Sequence, residues 1–157
     1  MLDVACGWGD AGLWLADRGA DVTLTDVSAV ALAAVEARAA DAGLSVDTVV
    51  RDLTTGAVPV GPWHAITCVH YLDRTLLPRL GAVLAPEGRL VVAIATTTNR
   101  ERHERPSARF LVEPGELPNL VPDLDIIEFS EGWRRNDAHE AWLVATPRAD
   151  ARRSANG

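Results

Sequence analysis

The chain has 157 residues, 48% hydrophobic and 24% charged, which bounds it to one globular domain able to bury its own core. A net charge of −7 leaves no basic face for a phosphate backbone, so nucleic acid is not an expected partner. No apolar run approaches the ~20 residues of a membrane span, and no basic leader precedes an apolar stretch, so no membrane partner and a cytoplasmic location are expected.

In chain order, Leu2-Asp3-Val4 is an apolar strand that runs through Ala5-Cys6-Gly7-Trp8-Gly9 into a helix. The spacing of Ala11, Leu13, Trp14, Leu15 and Ala16 predicts that helix over about Asp10 to Arg18, with Gly19 closing it. Strand, glycine-rich turn and helix together form the opening of a nucleotide-binding α/β sheet. The glycines let the backbone turn tightly and approach a ligand, and the helix amides then face that ligand. Ala20 to Thr25 alternates as a second strand and ends at Asp26, an acid placed to accept both ribose hydroxyls of an adenosine. Ser28 to Ala42 is an Ala-rich helix closed by Gly43, and Leu44 to Val50 is a third strand followed by Arg51-Asp52-Leu53.

After the Gly/Pro-rich loop Thr54 to Pro62, Trp63 to Val69 forms the fourth strand, with His70-Tyr71 just past its carboxyl end. Ligands of open parallel sheets bind outside those ends, so His70 and Tyr71 are expected to border the reacting group. Cys6 and Cys68 sit at central strands and read as buried thiols of a reducing compartment. Asp73 to Leu84 is predicted as a helix, Pro86-Glu87-Gly88 as a turn, and Arg89 to Ala95 as the fifth strand. Thr96 to Ser107 has no periodicity and reads as a lid on the acceptor side. A short helix is expected at Phe110 to Leu117 with Pro114 in its first turn, then a hairpin of Leu124 to Phe129 and Ala141 to Thr146 joined through Arg134-Arg135-Asn136-Asp137. The domain is expected to span 1–147, with 148–157 a disordered tail.

Two nucleotide cofactors compete for the opening turn. Gly7-Trp8-Gly9-Asp10-Ala11-Gly12 matches the dinucleotide fingerprint, so a nicotinamide-dependent oxidoreductase is one alternative. Asp3 argues the other way: a pyrophosphate gains nothing from a carboxylate there, whereas the ammonium and sulfonium of S-adenosylmethionine both suit it. Asp3 has a plainer role open to it, ordering the loop by bonding its amides.

At these residues the chain resembles the class I S-adenosylmethionine-dependent methyltransferases, whose first motif is acid-x-G-x-G-x-G with Ala5 here in place of the first glycine. The leucine-ended helix, Pro-x-Gly and Val-rich fifth strand are a further likeness, and together they cover about Met1 to Ala95. The resemblance implies a Rossmann-like doubly wound α/β sheet, mostly parallel, with an antiparallel last strand and the order 3-2-1-4-5-7-6. It implies cofactor contacts at Asp3, Ala5, Cys6, Gly7, Trp8 and Gly9, at Asp26 and Val27, at Asp52 (the adenine amine) and Leu53, and at Val69 and His70. Family members that methylate nucleobase amines carry an Asn/Asp-Pro-Pro-aromatic tetrapeptide after the fourth strand, which this chain lacks. A small-molecule acceptor is therefore expected, whether thiol, metalloid oxyanion or hydroxyl, with no metal.

Phe110 to Leu117 and Glu131-Gly132-Trp133 are similar to the tellurite-resistance branch, near the thiopurine type. That likeness places Arg134, Arg135 and His139 near the acceptor, and makes Arg134 and His139 catalytic candidates beside His70 and Tyr71. Family members usually carry helices ahead of the first strand, so the chain is expected either to have its start placed too far downstream or to be a shortened domain. The latter motivates a further alternative, a catalytically silent cofactor-binding module.

Overall fold

The structure is a computed structural model that describes residues 1–148. Seven strands form one sheet in the order β3-β2-β1-β4-β5-β7-β6. They are β1 (Leu2–Val4), β2 (Thr23–Asp26), β3 (Asp47–Val50), β4 (Trp63–Val69), β5 (Leu84–Ala95), β6 (Leu124–Trp133) and β7 (His139–Pro147). The first five are parallel to one another, while β7 runs antiparallel to both β5 and β6. The expected order and the antiparallel end are thus present, and the hairpin strands are longer than their apolar segments implied. Of the tail, Arg148 is described and donates to the Pro122 carbonyl; the remainder lies outside the described residues.

Three α-helices accompany the sheet: α1 (Asp10–Ala16), α2 (Ala29–Asp41) and the single turn α3 (Leu77–Leu80). Ser28 caps α2, its hydroxyl accepting from the Ala31 amide, and the helix sets Leu32, Val35 and Ala39 inward at helical spacing. These pack on Leu13, Val22 and Leu24, which makes one of two apolar layers. The other layer lies on the opposite face, where Leu2, Val4, Ile66, Cys68, Leu90 and Val92 meet Leu76, Leu77, Leu80 and Leu117. Strand alternation assigns the faces: in β1, Leu2 and Val4 point to the second layer and Asp3 to the first.

Three local expectations fail. The helix over Asp73 to Leu84 shrinks to α3 and a 3-10 turn, because Asp73 spends its carboxylate on the Thr75 and Leu76 amides and Pro78 supplies no amide to an earlier helical turn. Pro86-Glu87-Gly88 does not separate helix from strand. It is absorbed into β5 as an irregularity opposite β4, where Trp63 pairs with Leu84 and Ala65 with Arg89. Gly88 is needed there, since a Cβ would stand 2.7 Å from the Trp63 carbonyl oxygen. The expected helix at Phe110 to Leu117 is also replaced. Val112 forms a parallel bridge with Thr96, and 3-10 turns flank it at Ala108–Phe110 and Leu117–Leu120, with Pro118 rather than Pro114 at the second turn's start.

Candidate active site

The opening turn is held by close packing and by two carboxylates. Gly7 and Gly9 have φ of +54° and +75°, and Ala5 adopts +51° at the position of the missing glycine. A Cβ on Gly9 would lie 2.7 Å from the Val35 methyl, so that glycine serves the helix contact, whereas one on Gly7 would meet nothing within 4 Å. Gly7 therefore leaves the space above the turn free for a ligand.

Asp3 is not part of that space. It is 2% exposed, and its register partner in β4 is Thr67. Thr67 donates its hydroxyl to Asp3 Oδ1 at 2.7 Å, and the Gly12 amide donates to Oδ2 at 3.0 Å. Burial pushes its pKa up to about 6, against those two bonds, which pull it down. The expectation that Asp3 meets a cationic ligand is corrected: its side chain lies under the start of α1, because residues in the middle of a strand point to a sheet face and not out of its end. The argument against a dinucleotide that rested on Asp3 falls with it.

What stands at the strand ends is a cleft of about 310 Å³ lined by Ala5, Asp26, Val27, Asp52, Leu53 and His70, together with Arg51, Thr54 and Tyr71. Asp26 accepts from the Gly7 amide (2.9 Å) and the Ser28 amide (2.9 Å), which fixes its carboxylate while leaving lone pairs for ribose hydroxyls. Asp52 Oδ1 accepts from the Thr54 hydroxyl and amide, and those bonds, with smaller contributions from Thr55, hold its carboxyl below the usual range. Two acids with Val27 and Leu53 beside them match an adenosine, polar at ribose and amine and apolar at the base faces. On the donor set of this cleft, the residues present fit S-adenosylmethionine at its adenosine end. Cys6, Trp8 and Val69 stand outside the lining; Trp8 is 61% exposed, and burial, with Asp3 and Asp26 adding to it, pushes the Cys6 thiol up to about 12.

A second cavity, of about 520 Å³, adjoins the first at His70. Its walls include Ile94 and Ala95 of β5, Asn99, His103, Arg105 and Phe110 of the following segment, and Asp137 and Glu140 of the hairpin. The segment read as a lid is strapped to that hairpin. Asn99 accepts from the His139 amide (3.0 Å), Arg102 pairs with Asp137 (2.6 Å) and lies over the Trp133 ring, and His103 Nε2 is 2.7 Å from the Asp137 carbonyl oxygen.

Of the four catalytic candidates, His70 lines both cavities and Tyr71 lines the first cleft. Burial raises the Tyr71 pKa, so its phenol stays protonated. His139 and Arg134 line neither cavity and are corrected to structural positions. His139 Nδ1 is 2.7 Å from the hydroxyl of Thr96, which is fully buried, and its ring meets Trp133 edge-on. Arg134 donates to Ser130 Oγ and to the Ser130 and Glu140 carbonyls. The residue missed is Glu140, 2% exposed and 2.9 Å from His70 Nε2. A charged residue next to an indole two positions on in a strand is the signal that was available, because both then share one face.

Comparison with known proteins agrees with this fold. A family model described as a methyltransferase domain matches residues 1–88. No curated protein matches by sequence. Among solved structures the chain is similar to TehB from Haemophilus influenzae, at 17% identity and a TM-score of 0.76, over 94% of this chain and 57% of that one. The chain thus spans little more than half the length of that protein. It is also similar to a TehB-like SAM-dependent methyltransferase from Corynebacterium glutamicum (18%, TM-score 0.71, 94% and 79% covered). The [4+2]-cyclase SpnF shares the fold at 19% identity and a TM-score of 0.74, with 93% and 73% covered.

Proposed function

Because the chain belongs to the methyltransferase-domain family, whose cofactor is S-adenosylmethionine, we propose that it transfers a methyl group to a small-molecule acceptor held in the second cavity. The observation that carries this reading is the position of His70, which walls both cavities, so donor and acceptor would meet at its side chain. Asp26 would hold the ribose, Asp52 the adenine amine, and Val27 and Leu53 the base faces. Bound there, the cofactor supplies an electrophilic methyl group on a sulfonium. The chain's own contribution is then mostly orientation, an effect that offsets about 7–11 kcal/mol of a barrier in favourable cases.

The acidic surface and a cavity of ligand size support a small acceptor over a polymer. Titration calorimetry tests the donor. S-adenosylmethionine and its demethylated product are expected to bind, NAD is not, and Asp26→Asn is expected to weaken binding about ten- to a hundredfold, as loss of a charge-assisted bond does. Binding of NAD in place of both would overturn the assignment. Donor binding with no demethylated product from thiols, selenite, tellurite or phenols would favour a silent cofactor-binding module instead.

A further inference from the structure

We propose that His70 and Glu140 form a base and its orienting partner, and that the acceptor in the second cavity presents a weakly acidic hydroxyl, a phenol or enol, to His70 Nδ1. This rests on the methyl-transfer reading and adds to it the acceptor class and a residue role.

Both oxygens of Glu140 are committed. Oε1 is 2.9 Å from His70 Nε2, and Oε2 accepts from the Trp142 indole at 2.8 Å. An indole N–H only donates, so it fixes the plane of the carboxylate and leaves Oε1 for the imidazole. With Glu140 ionised, Nε2 carries the shared proton and the lone pair is on Nδ1. Arg134 backs the arrangement, its guanidinium 5.1 Å from the Trp142 ring and bonded to the Glu140 carbonyl.

Two unfavourable features converge on this pair. A carboxylate buried to 2% exposure is costly unless bonded, and here its bonds go to one histidine and one tryptophan. His70 itself has φ of +58°, a left-handed conformation that strains a residue with a Cβ, and its amide is pinned to the Ala93 carbonyl at 2.7 Å. The result is one imidazole held at the junction of two cavities, its side chain still 62% exposed. The other charged groups around the junction are Asp26, Arg51 and Asp52 on the cofactor side, and His103, Arg105 and Asp137 across the second cavity. Asp137 is already paired with Arg102, and His103 lies against the Asp137 backbone, so Glu140 is the carboxylate bonded to His70.

A held base discriminates among acceptors. A thiolate or metalloid oxyanion arrives ionised, and an amine attacks through a free lone pair and sheds its proton afterwards. A hydroxyl keeps its proton until its oxygen attacks. The acceptor oxygen then gains the methyl carbon while the carbon–sulfur bond breaks with its electron pair left on sulfur. The hydroxyl proton goes to His70 Nδ1, and the imidazolium, stabilised by Glu140, returns it to solvent. Ile94, Pro106 and Phe110 give the cavity apolar wall for a flat acceptor body.

The full chain is tested in two ways. First, histidine nitrogen NMR on protein without added donor is expected to show His70 protonated on Nε2, and Glu140→Gln is expected to redistribute the proton toward Nδ1; wild type already protonated on Nδ1 alone would overturn the pair. Second, product formation is followed across phenols of graded acidity, from cresol to 4-nitrophenol. His70→Asn is expected to slow cresol about 10²–10⁴-fold, with a loss at least tenfold smaller for the ionised nitrophenol. Glu140→Gln, a positioning change, is expected to lower kcat in the same graded pattern with KM held. Equal losses along the series, or turnover of thiols or selenite with no phenol accepted, would overturn this proposal while methyl transfer stood. Failure to bind the donor at all would remove both.

Discussion

The two cavities that meet at His70 are built by different means. The cofactor cleft is made where strands end: Asp26 is the last residue of β2 and binds the amides of Gly7 and Ser28, and Asp52 follows β3 and binds Thr54, two residues on. The second cavity is made by contacts between distant parts of the chain. His70 meets Glu140, Asn99 meets the His139 amide, and Arg102 meets Asp137. The first depends on backbone conformation and the second on side-chain placement in a hairpin. Damage to the first should therefore appear as lost stability or cofactor affinity, and damage to the second as lost acceptor chemistry.

The largest effect is expected on the cofactor side. Gly9→Ala adds a Cβ 2.7 Å from a Val35 methyl at a φ of +75°, and overpacking together with left-handed strain should destabilise the chain by about 2–4 kcal/mol. Urea denaturation should show a lower midpoint with an unchanged slope. An unchanged midpoint would mean the turn is more plastic than the packing implies.

Asp3 sharpens the comparison through pH. Its folded pKa of about 6 lies above the ordinary 3.8, so its contribution is fully present below about pH 4 and is lost as pH rises through 6. Asp3→Asn removes that titration. The stability difference between variant and wild type should move in the variant's favour by about 2 kcal/mol between about pH 4 and pH 7, measured by denaturation at each pH. A flat difference would show that Asp3 does not titrate in that range and that burial is not what governs it.

The smallest effect is expected across the divide. His139→Ala leaves the buried Thr96 hydroxyl without its ring partner and removes an edge contact with Trp133, a loss of about 1–2 kcal/mol by thermal or urea unfolding. Because His139 lines neither cavity, the relative rates along the phenol series should not change. A graded loss like that expected of His70→Asn would return His139 to the reaction and break the separation of the two halves.

The corrected residues show why legibility differed. The positions of Asp26 and Asp52 at the cleft were readable because residues at or just past the carboxyl end of a parallel strand stand at the sheet's open edge. Asp3 was misread because its composition suggested a charge partner, while alternation along β1 turns it onto Thr67 and under α1. His139 and Glu140 differ by one position and so point to opposite faces of β7. The pattern Ala141, Leu143, Ala145 facing the core assigns His139 to that side and Glu140 to the other. The helix expected over Asp73 to Leu84 shrank because Asp73 and Pro78 hold off its first turns, and the one expected at Phe110 to Leu117 gave way to the bridge at Val112.

By itself the sequence determined the alternation of strands and helices, the glycine bend, the acids at strand ends and the closing hairpin. All of these follow from periodicity and from backbone conformations that few residues tolerate. Only the tertiary structure decided that Asp3 is internal, that Glu140 backs His70, and that two cavities share that histidine. Those facts depend on which face of a strand meets which neighbour across many intervening residues, and no local pattern encodes that distance.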